Sequence, residues 1–295
     1  MSDQAQNLRK VLEHKQQESP KTTKVVSIVS GKGGVGKSNL SVNAAIGLAR
    51  DGYKTALIDL DIGMANVDIL LGLQTPGDIV DMIENDRSIW DIMKVGPCGL
   101  HVAAGGSGLN DIFEMTTEKK ERFSRQMAML DGVFDYILFD MGAGADRDSI
   151  HFILSSHEVV VVTTPEPTSI TDAYAMIKHL HLRSSELDCC ILVNRSESSK
   201  EGRQTGENLQ RAAGRFLQKD VELLAVIPQD KRVLQAVKKQ EPFLLAFPDA
   251  PASKAMQKCL DRFTGRRRTD DNNHALSYRQ CIGRLKEFLL KGGDR

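Results

Sequence analysis

The feature that most constrains this chain is one glycine-rich stretch, Gly31-Lys32-Gly33-Gly34-Val35-Gly36-Lys37-Ser38. It lies between an apolar run at 24–30 and a helical pattern at 37–50. The spacing fits G-x-x-x-x-G-K-[ST], a loop whose glycines let the backbone close on phosphates and turn its N–H groups inward. The helix that follows offers the positive end of its dipole to the same anion. Gly33, Gly34, Val35, Gly36, Lys37, Ser38 and Asn39 form the expected nucleotide-binding set. Lys37 would reach the terminal phosphates, and Ser38 would ligate Mg2+. The plain alternative is a glycine-rich turn without a ligand.

The rest of the chain alternates as such a loop requires. Valine- and isoleucine-rich runs at 55–60, 99–103, 136–139, 158–163, 189–193 and 223–227 mostly lack strict polar alternation. Strands covered on both faces read this way. Helical patterns at 118–130, 169–182, 201–217, 231–239 and 251–263 separate them. The expected fold is α/β, a doubly wound and mainly parallel sheet with appendages at both ends. Residues 1–23 read as a polar arm with a short helix at 4–16, and residues 24–263 as the nucleotide-binding domain. Residues 264–274 read as a solvated linker, with Arg266, Arg267, Arg268, Asp270 and Asp271 and almost nothing apolar.

A final helix is expected within 275–295. Leu276, Ile282, Leu285, Phe288 and Leu289 recur there at helical spacings, with Arg279, Arg284, Lys286 and Lys291 among them. A basic amphipathic helix on a polar tether reads as a membrane-surface anchor, with Ile282, Leu285, Phe288 and Leu289 toward anionic lipid. A helix packed on its own domain is the alternative.

Two apolar strands end in carboxylates. Asp59 and Asp61 close the run at 55–60, and Asp140 closes the run at 136–139. In doubly wound sheets ligands bind at the carboxyl ends of strands. A carboxylate there can hold a metal-bound water or position an attacking one. Asp140 is the expected holder of Mg2+, followed by Met141-Gly142-Ala143-Gly144.

Composition narrows the class. The 39 basic and 39 acidic residues balance, so no global face for specific nucleic acid is indicated. The five cysteines form no C-x-x-C pair, which argues against an iron–sulfur or zinc site in one chain. Residues 1–18 contain no signal-peptide core, and no apolar run approaches the roughly 20 residues of a spanning helix. The expected location is cytoplasmic, peripheral on the inner face of the cell membrane.

Lys32 is the second, more discriminating lysine of the loop. K-G-G-V-G-K-S resembles the deviant Walker A family that includes MinD and ParA. That resemblance implies an ATPase using ATP/ADP and Mg2+, and a homodimer when ATP-bound, with Lys32 reaching across to the partner's nucleotide. It also implies that Lys32, Lys37 and Asp61 are catalytic, Asp61 orienting water while Asp59 supports the metal shell. Where the family commonly carries proline in its second switch, this chain has Gly142. Val193-Asn194-Arg195 and Ile227-Pro228-Gln229-Asp230 resemble the family's adenine-side segments, assigning Asn194, Pro228 and Asp230 to the base and favouring ATP over GTP. Asp3-Gln4-Ala5-Gln6-Asn7-Leu8-Arg9 resembles the arm motif of the flagellar-number branch, FlhG or YlxH. By that resemblance Asp3, Gln4, Ala5, Leu8 and Arg9 bind and activate the SRP-type flagellar GTPase FlhF, with flagellar basal-body proteins as further partners. A ParA-type DNA- or cargo-segregating ATPase, or another MinD-type positioning ATPase, is the alternative.

Overall fold

The computed structural model describes residues 23–62, 66–106, 116–144, 149–270 and 277–291. The arm residues Asp3, Gln4, Ala5, Leu8 and Arg9 lie outside them. Eight strands form one sheet: β1 (Lys24–Ser30), β2 (Thr55–Leu60), β3 (Lys94–Val95), β4 (His101–Ala103), β5 (Tyr136–Ala143), β6 (Glu158–Thr163), β7 (Asp188–Ser196) and β8 (Glu222–Pro228). Their order is β3-β4-β2-β5-β1-β6-β7-β8. All pairings are parallel except β3 with β4. The doubly wound, mainly parallel sheet expected from the sequence is therefore present, and every expected strand is found in it. β3 was not anticipated, because two exposed residues carry no periodicity.

Central strands bury both faces, which is why they read as continuous apolar runs. In β1, Val25 and Val29 face one layer while Val26 and Ile28 face the other. The first layer includes α3 (Ile79–Glu84), α4 (Ile89–Ile92), α5 (Thr117–Ala128), α6 (Ser149–Leu154), α7 (Pro167–Arg183) and α8 (Ser199–Leu217). The second holds α1 (Lys37–Arg50), α2 (Val67–Leu71), α9 (Lys231–Lys238), α10 (Phe243–Ala246) and α11 (Pro251–Asp270). The short helices α2, α3, α4, α6 and α10 were not foreseen, since four to six residues hold too few turns for a periodic pattern.

Two expectations for the C-terminal region need correction. The linker expected at 264–274 is helical in its first part, because α11 continues through Asp270. Polarity alone does not end a helix; arginine is a good helix former, and no proline interrupts the stretch. The final helix α12 (Tyr278–Lys291) packs on its own domain instead of standing free. Tyr278, Cys281 and Leu285 are buried, with Ile282 partly buried against the α3–α8 layer. The Tyr278 hydroxyl donates to the Met127 carbonyl at 2.6 Å, and Arg279 pairs with Asp131 at 2.8 Å. Leu285, expected to face lipid, thus faces core. The backbone of Phe288 and Leu289 is helical.

Candidate functional site

β1, β2 and β5 deliver the functional side chains to one edge of the sheet. The loop after β1 turns at Gly34 and Gly36, both at positive φ, and α1 begins at Lys37. Gly36 is tightly confined. At φ +90° a side chain would be strained, and its Cβ would stand 2.5 Å from the Asn194 amide nitrogen. Asn194 donates that amide to the Val35 carbonyl at 2.8 Å, so the end of β7 braces the loop. The Arg195 guanidinium lies close to Gly36 as well, carried by a backbone at φ 54°.

Lys37 and Asp140 form a buried ion pair at 2.7 Å. Ser41 donates to the same Asp140 oxygen at 2.7 Å, and Lys37 also donates to the Ser38 hydroxyl at 3.3 Å. Asp140 Oδ1 therefore has two donors, whereas Oδ2 is buried without a hydrogen-bond partner. A buried carboxylate oxygen lacking a donor is costly, and a hard cation with oxygen ligands satisfies it. Ser38 and Asp140 fit Mg2+ on this ground.

Asp59 sits directly beside Asp140 in the β2–β5 register and is fully buried. It accepts backbone N–H groups from Asp61, Asn66 and Val67 at 3.0, 3.1 and 3.2 Å. Burial, reinforced by the Asp140 charge, nevertheless pushes its carboxyl up to about 7. Asp61 is half-buried beyond it. A Cβ at Gly142 would lie 3.3 Å from Asp61 Oδ1, so this carboxylate packs close against Gly142.

Lys32 differs from Lys37 in setting. Its side chain is 40% exposed against 6% for Lys37. The ammonium contacts Glu166 at 3.2 Å and Thr168 at 3.0 Å, at the start of α7. Pro228 ends β8 opposite Ser196. Asp230 caps α9 through the Arg232 N–H at 2.9 Å and reaches the Ala252 N–H at 3.4 Å, so its oxygens serve the backbone here.

Sequence reasoning missed Ser41, Glu166 and Thr168. Ser41 was findable, since it stands four residues after Lys37 and hence on the same helix face. Glu166 and Thr168 carry no such signal, because only the tertiary fold brings α7 to Lys32.

Residues 21–264 match the ParA family, described as the NUBPL iron-transfer P-loop NTPase. The chain contains no C-x-x-C. Among the described residues, no group of three or more His, Cys, Asp or Glu side chains could hold a metal ion. The chain is 35% identical over 243 residues to the antiactivator FleN of Pseudomonas aeruginosa, covering 82% of this chain and 87% of that protein. It is 39% identical over 193 residues to the flagellum site-determining protein YlxH of Helicobacter pylori, covering 65% and 64%. The septum site-determining protein MinD of Pyrococcus horikoshii, solved with Mg-ADP, superposes with a TM-score of 0.70 at 24% identity, covering 85% of this chain and 99% of that one.

Proposed function

Since the chain belongs to the ParA/MinD family of P-loop NTPases, we propose that it is an ATP-driven dimerisation switch regulating flagellar placement and number. The observation that carries the chemistry is the buried cluster of Lys37, Ser41 and Asp140 with one carboxylate oxygen left without a donor. The likeness to FleN and YlxH supports the flagellar setting.

In this reading Lys37 leaves Asp140 for the terminal phosphates, while the loop N–H groups and the α1 N-terminus cradle the remaining oxygens. Ser38 and Asp140 hold Mg2+, and Asp59 secures its water shell. The metal, when bound, neutralises charge developing on the transferred phosphoryl group. Asp61 swings from Gly142 to orient the attacking water. Asn194 holds the loop through Val35 and presents its carbonyl oxygen to the adenine amino group, with Pro228 and Asp230 completing the base side. Lys32 exchanges Glu166 and Thr168 for the phosphates of a second copy's nucleotide, which closes the dimer.

The ends carry the output. No helix among the described residues is long and apolar enough to cross a membrane. Displacement of α12 would release its apolar face to anionic lipid, with Arg279, Arg284 and Lys286 favouring that surface. The arm, through Asp3, Gln4, Ala5, Leu8 and Arg9, would bind the SRP-type GTPase FlhF, Gln4 ordering its hydrolytic water. Light scattering with ADP and with ATP plus Mg2+ tests the switch. A monomer–dimer shift that Lys32→Ala abolishes supports it, and a mass indifferent to nucleotide sinks it. FlhF turnover measured with and without residues 1–17 tests the output.

A further inference from the structure

Among the described residues eight large apolar side chains are exposed: Ile69, Trp90, Val95, Met129, Val133, Leu182, Phe216 and Leu234. Four of them lie on the segments that surround one buried ring, that of Phe134. Trp90 stacks on Phe134 with centroids 6.1 Å apart, and His101 meets the same ring edge-on at 5.1 Å. Val95 is the register partner of His101 on the edge hairpin, so the two share a face. Gln126 accepts the Ile89 N–H at 2.9 Å, which brings α5 against the start of α4. Met129 follows Gln126 by three residues, on the same side of that helix. Val133 adjoins Phe134 in sequence. The result is an apolar patch at the edge of the sheet remote from the nucleotide loop.

The chain's N-terminal arm is rooted in this patch. The Thr23 hydroxyl donates to the Phe134 carbonyl at 2.7 Å and accepts the Gly132 N–H at 3.2 Å. Apart from Met1 and Pro20, the twenty-two residues before it are polar except for a short apolar set, Ala5, Leu8, Val11 and Leu12. Leu8, Val11 and Leu12 fall at i, i+3 and i+4, the spacing of one helical stripe. The stretch between Leu12 and Thr23 can span roughly 35 Å when extended, ample to fold back on its own root. A tether this short holds the stripe near the patch at an effective concentration on the order of millimolar.

We propose that the Leu8–Leu12 stripe of the arm docks on the Trp90–Met129–Val133 patch of its own chain. The occupant is the arm because its root is hydrogen-bonded into the patch and its apolar stripe lies within reach. The docking stands on these contacts alone. Its consequence rests on the reading of the arm as partner-activating: Leu8 cannot cover Met129 and a GTPase at once, so the docked arm is a held-back arm.

Trp90 is the only tryptophan in the chain and lies in the patch, so its fluorescence reports occupancy directly. The arm precedes the first strand, so Leu8→Glu with Leu12→Glu leaves the folded core untouched. In the full chain these changes are expected to shift Trp90 emission to longer wavelength and increase its quenching by acrylamide. A peptide of residues 1–17 added to that variant is expected to reverse both. The peptide carrying Leu8→Ala is expected to bind about tenfold more weakly, as loss of a buried leucine implies. Met129→Ser with Val133→Ser tests the patch from the other side and is expected to abolish the peptide's effect. Trp90 emission indifferent to the arm changes overturns the proposal, as does a shift that tracks protein concentration, which would place a second copy on the patch. Stimulation of the GTPase by the free peptide bears on the partner reading alone, so the two fail separately.

Discussion

Tyr278→Phe tests whether docked α12 is the held-back form of a membrane helix. The phenol ring is buried, and its hydroxyl makes one bond, to Met127 O at 2.6 Å. Phenylalanine keeps the ring, and the Met127 carbonyl keeps the Leu130 N–H at 3.0 Å, so the loss is confined to that one bond. Such a loss costs about 0.5–1.5 kcal/mol. The undocked population of α12 should therefore rise roughly 2–12-fold. Cys281 provides the assay. It is buried on the same helix, and burial pushes its thiol from 9.0 up to about 12. The reactive species is the thiolate, so near pH 8 the docked thiol offers about a thousandfold less of it than the released one. Alkylation of Cys281 thus counts undocked molecules, while exposed Cys98 supplies a reference rate. Tyr278→Phe should accelerate Cys281 labelling, leave Cys98 unchanged and strengthen binding to anionic vesicles by the same factor. Faster labelling with wild-type lipid binding would refute the reasoning, and so would truncation after Asp270 that leaves lipid binding intact.

Three further outcomes follow from the nucleotide edge. Asp61→Ala should keep ATP affinity within about threefold and lose turnover by about a hundredfold, because it removes the water-positioning group and spares the phosphate cradle; single-turnover assays decide. Gly36→Ala should weaken ATP binding by tenfold or more in calorimetry, since it places a Cβ at φ +90° and 2.5 Å from Asn194, at a cost of about 1–3 kcal/mol. In the nucleotide-free protein the Asp59 carboxyl carbon should titrate with a midpoint near 7 by NMR. The raised midpoint means the folded state binds more protons, so this group's contribution to stability falls as pH rises from about 4 to about 7. Asp140→Asn removes the neighbouring charge and should lower that midpoint; an unchanged one would leave burial as the sole cause.

How much could be read in the sequence depended on how local the physics was. The loop at 31–38, the strand ends at Asp59 and Asp140 and the α1 boundaries are written in contiguous residues, so spacing and periodicity located them. The Lys32–Glu166 contact, the Asn194–Val35 brace and the Gly142–Asp61 approach join residues far apart in sequence, and no pattern announces them. The docking of the C-terminal helix stayed open in the sequence for a related reason. An amphipathic stripe says that one face seeks apolar surroundings, but not whether lipid or the α5–α6 surface supplies them. Asp230 illustrates the reverse case: a motif assigned it to nucleotide, and the fold gives both its oxygens backbone donors.

The nucleotide loop follows β1, whereas the contacts of Thr23 and Arg279 lie in the turn before β5, at the other end of the parallel strands and separated from it by the eight residues of β5, roughly 25 Å. Thr23 bonds Phe134 and Gly132 in the turn before β5, Arg279 bonds Asp131 in the same turn, and Tyr278 bonds Met127 at the end of α5. A signal from ATP to α12 needs no strain carried along that strand. On the proposed switch, a dimer closed by Lys32 would present two α12 helices to one surface, and the second would bind intramolecularly, gaining avidity without a new contact. Each helix must still undock, so the lipid affinity of the dimer scales as the square of the single-helix undocking constant. A fivefold gain from Tyr278→Phe in the monomer should therefore become about twenty-fivefold in an ATP-bound, hydrolysis-deficient Asp61→Ala dimer. A relay through β5 would instead release α12 on ATP binding before any dimer forms. Lys32→Ala separates the two. If that monomeric variant labels at Cys281 faster with ATP than with ADP, the signal runs through the strand and the avidity argument is wrong.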